Sequence, residues 1–591
     1  MQDLKKIFSY MKPYRMDFFL AVLLVIIESA FEMVIPVIMT DIVDVGVPAR
    51  DIPYLLLQGG KMAVCAVLSL ISGLAYAKFA ARAAYGFGAE LRLAQYSRIQ
   101  DFAFSNLDHF STPSLVTRMT TDVTVMQNAV NGGLRPMVRG PVMLILGVGL
   151  SLMLNPRLAL VFIIAAPVLG VILAFIVHKV SPLYNRQQTA VDHVNSHIQE
   201  SLTAIRAIKA FVRGDYEAEV FQDVNGELAD ASCTTFKFAV LNLPAFQAVL
   251  YTAIVLIMWN GGRYILAGSM TVGELTAFLS YALQVLNSLM MISNVFLMLT
   301  RSLTSARRIS EILDEKTALD SPKDPVMEIP DGEILFQDVS FKYFQNAKKS
   351  ALSHVNLHIR AGESVGIIGG TGSAKSTLVQ LIPRLYDATR GSVLVGGHNV
   401  KEYDLSALRD AVGIVLQKNV LFSGTVRENL LWGNKEADDD ALWEACRKAC
   451  ADEFLSAMPK GLDTDLGQGG VNISGGQKQR LCIARTLLKN PKVLIFDDST
   501  SAVDTATEGK IRHALRSLPD VTKIIIAQRV TSVMEADKIV ILDDGRIHAV
   551  GTHQELLASD PIYQEIYASQ MKGQKDASGA PSLQKGGISL G

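Results

Sequence analysis

The sequence predicts an all-α polytopic membrane domain with six transmembrane helices and long cytosolic extensions, followed by a soluble α/β domain. Of its 591 residues, 49% are hydrophobic and only 19% are charged, a composition that indicates a membrane protein. The apolar character ends at about residue 300, and strand-like and helical runs then alternate, as in α/β domains. We expect a membrane domain at 1–313, a charged, proline-containing linker at 314–332, an α/β domain at 333–573 and a disordered tail at 574–591.

Six apolar runs each approach the roughly 20 residues that a helix needs to cross a bilayer. Lys and Arg gather before the first run, between the second and third, between the fourth and fifth, and after the sixth. The positive-inside rule then places both termini and the α/β domain in the cytoplasm of a multi-pass cell-membrane protein. The first run is too long for a cleavable signal, so we expect it to remain as a span. The runs are roughly 17–40, 55–78, 136–154, 158–178, 240–262 and 274–299.

The two cytoplasmic loops between these runs have about sixty residues each and are rich in helix formers. If each loop folds back as two helices, it extends roughly 40 Å below the membrane. We expect the segments at their centres, 111–122 and 211–217, to be short transverse helices that dock on a cytosolic motor.

Charge and cysteine usage exclude two classes of function. The net charge of −1 argues against a nucleic-acid-binding protein, which usually carries a basic surplus, so no nucleic-acid partner is expected. The five cysteines form no CxxC pair; Cys446 and Cys450 share a helix face but lack further ligands for a metal.

A strand, a glycine-rich loop and a helix follow one another at 364–377, which is the context that a P-loop requires. In such a loop the backbone N–H groups hold phosphates, Lys375 reaches the β- and γ-phosphates, and the Ser376 hydroxyl binds Mg²⁺. Ala374 departs from the pattern, which has glycine before the lysine. The sequence thus predicts an α/β P-loop NTPase domain that binds ATP and Mg²⁺ through Gly369, Gly370, Thr371, Gly372, Ser373, Ala374, Lys375, Ser376 and Thr377.

A second acidic element follows the apolar run Val493–Phe496. Four apolar residues that end in Asp497 and Asp498 are typical of a buried strand that delivers a carboxylate beside the P-loop. Asp497 is therefore a candidate Mg²⁺ ligand.

The segment 472–480, Asn-Ile-Ser-Gly-Gly-Gln-Lys-Gln-Arg, resembles the signature of ATP-binding cassette (ABC) proteins, and six helices followed by one cassette resemble the exporter branch of that family. The resemblance implies that Tyr343 stacks on adenine, that Gln417 senses Mg²⁺ and the membrane domain, and that Ser501–Asp504 faces a partner. It also implies that the signature contacts the γ-phosphate held by a second cassette, through Ser474, Gly475, Gly476 and Gln477.

Two departures from the family pattern concern catalysis. The family usually places Glu where this chain has Asp498, and His where it has Gln528. A carboxylate one methylene shorter lies about an ångström away, which can cost roughly 10²-fold in rate. Gln hydrogen-bonds but cannot titrate. We therefore interpret the chain as the impaired subunit of a heterodimeric, bacterial multidrug-type exporter whose partner half-transporter carries the Glu and the His. The catalytic candidates are Asp498, Gln528, Gln417 and Ser474.

The expected function is ATP-driven export of a drug-like, lipid or peptide substrate, in contact with membrane lipids. Two alternatives remain open: a homodimeric flippase with two equal slow sites, and a regulatory or channel-like protein that ATP gates. An importer is disfavoured, because importers of this superfamily usually carry their cassettes on separate chains.

Two carboxylates, Glu28 and Glu32, lie four residues apart on one face of the first span. Charges inside a membrane are costly and face either a cavity or a partner. They therefore either bind a cationic substrate or pair with polar groups on neighbouring helices.

Overall fold

The computed structural model describes residues 2–498 and 504–578, and it divides into two compact units. The first combines Met1–Gln100 with Ser111–Glu315, and the second combines Asp101–Phe110 with Lys316–Gly591.

The described residues of the first unit form helices throughout its length. Six helical stretches are long and apolar enough to cross a membrane: Lys12–Ala49, Ile52–Gln100, Thr112–Leu154, Pro156–Thr203, Gly214–Leu266 and Val272–Ile292. They coincide with the six predicted runs, so the predicted six-helix membrane domain is confirmed. The helices are α1 (Gln2–Ser9), α2 (Arg15–Asp41), α3 (Val47–Ala49), α4 (Ile52–Gln100), α6 (Thr112–Thr117), α7 (Val123–Asn131), α8 (Leu134–Leu154), α9 (Pro156–Thr203), α10 (Ile205–Ala210), α11 (Gly214–Ala239), α12 (Asn242–Leu266) and α13 (Val272–Asp314), while α5 (Phe104–His109) lies in the second unit.

The helical extensions beyond the apolar runs are continuous with the spans. Helices α4 and α9 have 49 and 48 residues, about 70 Å each at 1.5 Å per residue, which is more than twice the apolar thickness of a bilayer. The tip of the second loop exposes Phe211 and Val212, and Val212 has a positive φ of 52°.

The two intramembrane carboxylates are paired with arginines of the same unit. Arg139 of α8 donates to Glu28 at 3.1 Å and to Glu32, and Arg135 also donates to Glu28. Glu28 is only 3% exposed. These contacts support the second of the two alternatives, in which the carboxylates pair with polar groups on a neighbouring helix. The charges are structural partners that join α2 to α8.

The second unit contains two sheets. One is antiparallel with the order β2-β1-β4-β5; the other has the order β10-β9-β3-β8-β7-β6, in which all neighbours are parallel except β10 and β9. The strands are β1 (Ile334–Phe341), β2 (Leu352–Ile359), β3 (Ser364–Ile368), β4 (Arg390–Val395), β5 (His398–Asn399), β6 (Val412–Val415), β7 (Val493–Asp497), β8 (Thr522–Ile526), β9 (Lys538–Asp543) and β10 (Arg546–Gly551). The helices are α14 (Lys375–Gln380), α15 (Leu405–Ala411), α16 (Val426–Leu430), α17 (Asp439–Lys448), α18 (Asp452–Leu455), α19 (Gly475–Leu487), α20 (Thr505–Arg516), α21 (His553–Ser559) and α22 (Pro561–Ser578).

One segment of the first loop packs within the second unit. Residues 101–110 belong to this unit, where the Tyr386 hydroxyl donates to Asp108 Oδ2 at 2.8 Å and the Phe104 ring meets the Tyr386 ring edge-on. The expected contact segment, 111–122, belongs to the first unit. Helix α5 is thus the part of the first loop that packs within the second unit, and the docking of 111–122 stays a prediction.

Two features differ from the predicted boundaries of the α/β domain. In the predicted linker, Val326 exchanges backbone hydrogen bonds with residues 402 and 404, so this part of the linker is packed onto the domain. Helix α22 continues through Ser578, five residues into the predicted tail, and the rest of that tail lies outside the described residues.

Candidate nucleotide-binding site

The order of the parallel strands explains why separated motifs meet. Strands β6, β7, β8 and β3 are consecutive neighbours, and their carboxyl ends lie at one edge of the sheet. Gln417 follows β6, Asp497 ends β7, Gln528 follows β8 and the P-loop follows β3. The carboxyl edge of a parallel sheet is the usual place for ligand binding in α/β folds.

The P-loop begins at Gly369, whose φ is 155° and where a Cβ would lie 2.1 Å from the carbonyl oxygen of Leu542. Only glycine fits this turn. At the other end of the loop, Lys375 Nζ donates to the carbonyls of Gly369 (2.9 Å) and Gly370 (2.8 Å), and to Ser373 Oγ at 3.3 Å. Burial lowers the pKa of Lys375, and the carboxylates of Asp498 and Asp497 oppose this shift.

The unusual Ala374 has φ 70° and ψ 27°, in the left-handed region, directly before α14 begins. A non-glycine residue pays roughly 1–2 kcal/mol there because of the contact between its Cβ and the backbone. The loop has therefore kept the conformation that suits glycine while carrying alanine.

Asp497 and Ser376 form an oxygen-rich pair beside the lysine. Ser376 Oγ donates to Asp497 Oδ1 at 2.7 Å, and Asp497 is only 2% exposed. Burial raises the pKa of Asp497, the Ser376 hydrogen bond opposes this rise, and the neighbouring Asp498 adds to it. Carboxylate and hydroxyl oxygens are the ligands that Mg²⁺ prefers, so this pair fits the ion.

The two residues that depart from the family pattern at the catalytic positions contact each other. Gln528 Nε2 donates to Asp498 Oδ2 at 2.7 Å. Asp498 has a φ of 49°, a left-handed conformation that Asp tolerates better than most residues. Its backbone N–H donates to the carbonyl of Ile526 at 3.1 Å, which ties the end of β7 to β8.

Tyr343 lies at the other end of the site. Its hydroxyl shares a 2.8 Å hydrogen bond with Thr377 Oγ1, and the residue is 42% exposed. The ring also packs edge-on against Phe341 and Tyr386. This leaves part of an aromatic surface available for a base.

These side chains line one cavity of about 960 Å³, a size in the upper range of ligand sites. The charge and the ligand oxygens suit a nucleotide with its metal. Sequence reasoning missed the contribution of α22, whose Ile566 and Gln570 also line the cavity, because no motif marks that helix. Of the predicted site residues, the lining includes Tyr343, Gly369, Gly370, Thr371, Gly372, Ala374, Lys375, Ser376, Thr377, Gln417, Asp497, Asp498 and Gln528, with Ser373 buried beneath them.

The signature residues do not line this cavity. Ser474 caps the N-terminus of α19: its Oγ accepts from the Gln477 N–H at 3.3 Å, and its own N–H donates to Gln477 Oε1 at 2.8 Å. A Cβ on Gly475 would meet no atom within 4 Å, so this helix start is open. Of the predicted partner-facing loop, Ser501–Val503 lies outside the described residues, and Asp504 caps α20 through the Thr507 N–H at 2.9 Å.

Two family models match the chain. The ABC transporter transmembrane region matches residues 18–289, and the ABC transporter model matches residues 352–501. Together they cover most of the membrane unit and the part of the cassette that holds the P-loop, the signature and β7.

Similar proteins match over nearly their full length. YfiB of Bacillus subtilis, an uncharacterized ABC transporter ATP-binding protein, is 36% identical, covering 96% of this chain and 98% of the relative. The ATP-dependent lipid A-core flippase of Desulfotalea psychrophila is 30% identical, with coverage of 96% and 99%. A structure of a bacterial Atm1-family ABC exporter with ATP bound shares the fold, with a TM-score of 0.80 over 96% of this chain and 99% of that chain, at 24% identity. This chain belongs to the ABC transporter family, as an exporter-type half-transporter that fuses the transmembrane region to the ATP-binding domain.

Proposed function

We propose that this chain is the subunit of a heterodimeric ATP-driven exporter that holds ATP at its own P-loop but hydrolyses it slowly. The observation that supports this most directly is the 2.7 Å hydrogen bond between Gln528 and Asp498, in the cavity that Lys375 lines. Gln528 and Asp498 hydrogen-bond to each other. At the same two positions the family usually has His, with a titratable ring, and Glu, with a longer carboxylate.

The chemistry of this pair accounts for the slow hydrolysis. A water molecule that attacks the γ-phosphate needs a carboxylate within hydrogen-bonding reach, and Asp498 is one methylene shorter than Glu. The Gln528 amide is neutral, so it stabilises developing phosphate charge less than a cationic group does. Mg²⁺, when bound at Ser376 and Asp497, would neutralise phosphate charge. Lys375 can then turn from the carbonyls of its own loop to the β- and γ-phosphates.

The open end of α19 supplies the second part of the proposal. The N–H groups of its first turn and the helix dipole attract a phosphate, and Ser474 adds a hydroxyl. Because these groups lie outside the chain's own cavity, we infer that they complete an ATP site on a second, different half-transporter. That second site is the one that hydrolyses ATP rapidly.

The direction of transport and the substrate class are part of the same proposal. The clustering of Lys and Arg supports a cytoplasmic cassette and cytoplasmic termini in the cell membrane. Two relatives are named as a putative multidrug export ATP-binding/permease protein and as a lipid A-core flippase. We therefore propose that the substrate is an amphipathic drug-like or lipid molecule, with peptides as the other class to test.

The decisive experiment compares Asp498→Asn with Gly475→Asp in the complex purified from native membranes. Asp498→Asn should lower ATP turnover by less than about threefold, because it affects only the slow site. Gly475→Asp should nearly abolish turnover, because it adds a negative side chain in front of the partner's ATP. A Cβ at this position meets no atom within 4 Å, so we expect the variant to fold. Gly226→Asp, on exposed α11 and equally free of neighbours, is the charge-matched control.

Each alternative makes a distinct prediction in the same experiment. A homodimer would purify without a second half-transporter, and Asp498→Asn would abolish its turnover. A gated, channel-like protein would bind ATP in the complete complex without moving substrate against a gradient. Either result would overturn the proposal.

A further inference from the structure

The C-terminal helix α22 packs beside residues 527–530, here called the switch loop, which follow β8. Ala527 and Val530 are 3% and 0% exposed and share an apolar cluster with Tyr563 of α22. The loop is thus anchored by the helix on both sides of Gln528, whose side chain remains exposed to the cavity.

Gln570 of α22 makes two hydrogen bonds to this loop. Its Nε2 donates to the carbonyl of Gln528 at 2.8 Å, and its Oε1 accepts from the N–H of Val530 at 2.8 Å. A carbonyl and an N–H two residues apart are the pair that a neighbouring parallel strand would satisfy. One side-chain amide therefore replaces a strand at the point where the loop leaves the sheet.

We propose that Gln570 is a positioning residue for this chain's nucleotide site: it fixes the backbone of the switch loop and so aims Gln528 at Asp498. The contacts form a continuous path from α22 to the carboxylate, through the 2.8 Å bond of Gln570 to Gln528 and the 2.7 Å bond of Gln528 to Asp498. Gln570 and Ile566 also line the cavity, so α22 forms part of its wall. This inference rests on the role proposed above for Gln528.

A side chain keeps a fixed direction only if its backbone is held in place. Residues 527–530 form no strand: the Ala527 N–H still donates to the Ile367 carbonyl of β3 at 3.3 Å, and the residues that follow need other contacts to hold their dihedral angles. Without Gln570, the carbonyl of the exposed Gln528 would turn to water, and the N–H of Val530, a residue that is 0% exposed, would need another partner, since buried backbone groups are almost always paired. The loop would then relax, and the Gln528 amide would spend less time near Asp498.

The test is a double-variant cycle of Gln570→Glu with Gln528→Ala in the purified complex, read out as nucleotide affinity at this chain's site and as KM and kcat for ATP. Glu keeps an acceptor for Val530 but removes the donor to Gln528. Gln570→Glu alone should weaken nucleotide binding by about two- to tenfold, the equivalent of one net hydrogen bond, with an unchanged Tm. The same change in the Gln528→Ala background should have little effect. Gln564→Glu on the same helix, whose amide bonds to Leu557 rather than to the switch loop, is the matched control.

Two outcomes would overturn the inference: effects of Gln570→Glu that add fully to those of Gln528→Ala, or a loss of affinity that a lowered Tm explains. Gln570→Asn retains both the donor and the acceptor on a shorter side chain. A nucleotide affinity between those of the wild type and of Gln570→Glu would support the inference. Failure of the proposed function would appear elsewhere, as an Asp498→Asn variant without turnover, so the two failures are distinguishable.

Discussion

One cluster of carboxylates and cations in the membrane unit and one in the cassette are satisfied in opposite ways. In the membrane unit, Glu28 and Glu32 are bonded to Arg135 and Arg139, so opposite charges balance within the fold. In the cassette, the Lys375 ammonium is bonded to loop carbonyls and a hydroxyl, which are neutral and exchangeable partners.

The difference separates a structural cluster from a ligand site. A fixed arginine cannot leave a buried carboxylate without exposing an uncompensated charge, whereas a lysine held by neutral groups gains when phosphate oxygens replace them. The acidity of a side chain and its place in the sequence do not reveal which case applies. The identity of its partners does.

The largest expected effect is a loss of stability when an arginine of the membrane cluster is replaced. Arg139→Met leaves Glu28 and Glu32 short of a partner and should destabilise the protein by about 3–5 kcal/mol. Thermal unfolding in detergent measures the loss, with exposed Arg157→Met as the control. MgATP affinity well below the unfolding temperature should stay unchanged, and an unaltered Tm would contradict the distinction between the clusters.

A substitution in the cassette cluster around Lys375 should lower nucleotide affinity rather than stability. Lys375→Ala removes the charge that meets the phosphates and should weaken MgATP binding by about 100-fold, or about 3 kcal/mol, with little change in Tm. Lys510→Ala, an exposed lysine paired with Glu453, is the control. Isothermal titration of the purified complex measures both variants, and wild-type affinity in Lys375→Ala would remove the lysine from the site.

A smaller loss of nucleotide affinity is expected when Tyr343, in the wall of the same cavity, is replaced. Tyr343→Ala should cost about 1–3 kcal/mol of nucleotide affinity if the ring stacks on the base. Tyr343→Phe keeps the ring and removes only the hydrogen bond to Thr377, so it should retain most of the affinity. Equal losses in the two variants would assign the effect to the hydroxyl instead.

The smallest expected effect concerns the strained P-loop. Ala374→Gly relieves a left-handed alanine and should raise stability by less than about 1 kcal/mol, since the greater freedom of glycine in the unfolded chain offsets part of the gain. Ala506→Gly, inside α20, should change stability in the opposite direction. Chemical unfolding of the complex compares them, and a loss of stability in Ala374→Gly would mean that the loop prefers alanine.

Much of the site could be predicted because its residues belong to contiguous motifs. The P-loop, the end of β7 and the start of α19 each combine a local pattern with a local structure, and parallel strands bring the first two to one edge, while the start of α19 lies outside that cavity. The pairing of Glu28 with Arg135 could not be predicted in this way, because 107 residues separate the two side chains. The contact of Asp108 with Tyr386, across 278 residues, is a similar case.

The sequence by itself determined the six spans, the α/β cassette and the two departures at Asp498 and Gln528, because hydropathy and motif spacing are properties of neighbouring residues. Only the tertiary structure decided which partners the acidic residues have and that α22 holds the switch loop through Gln570. The physical reason is that hydrogen bonds and ion pairs depend on distances of about 3 Å between groups that the chain brings together only on folding.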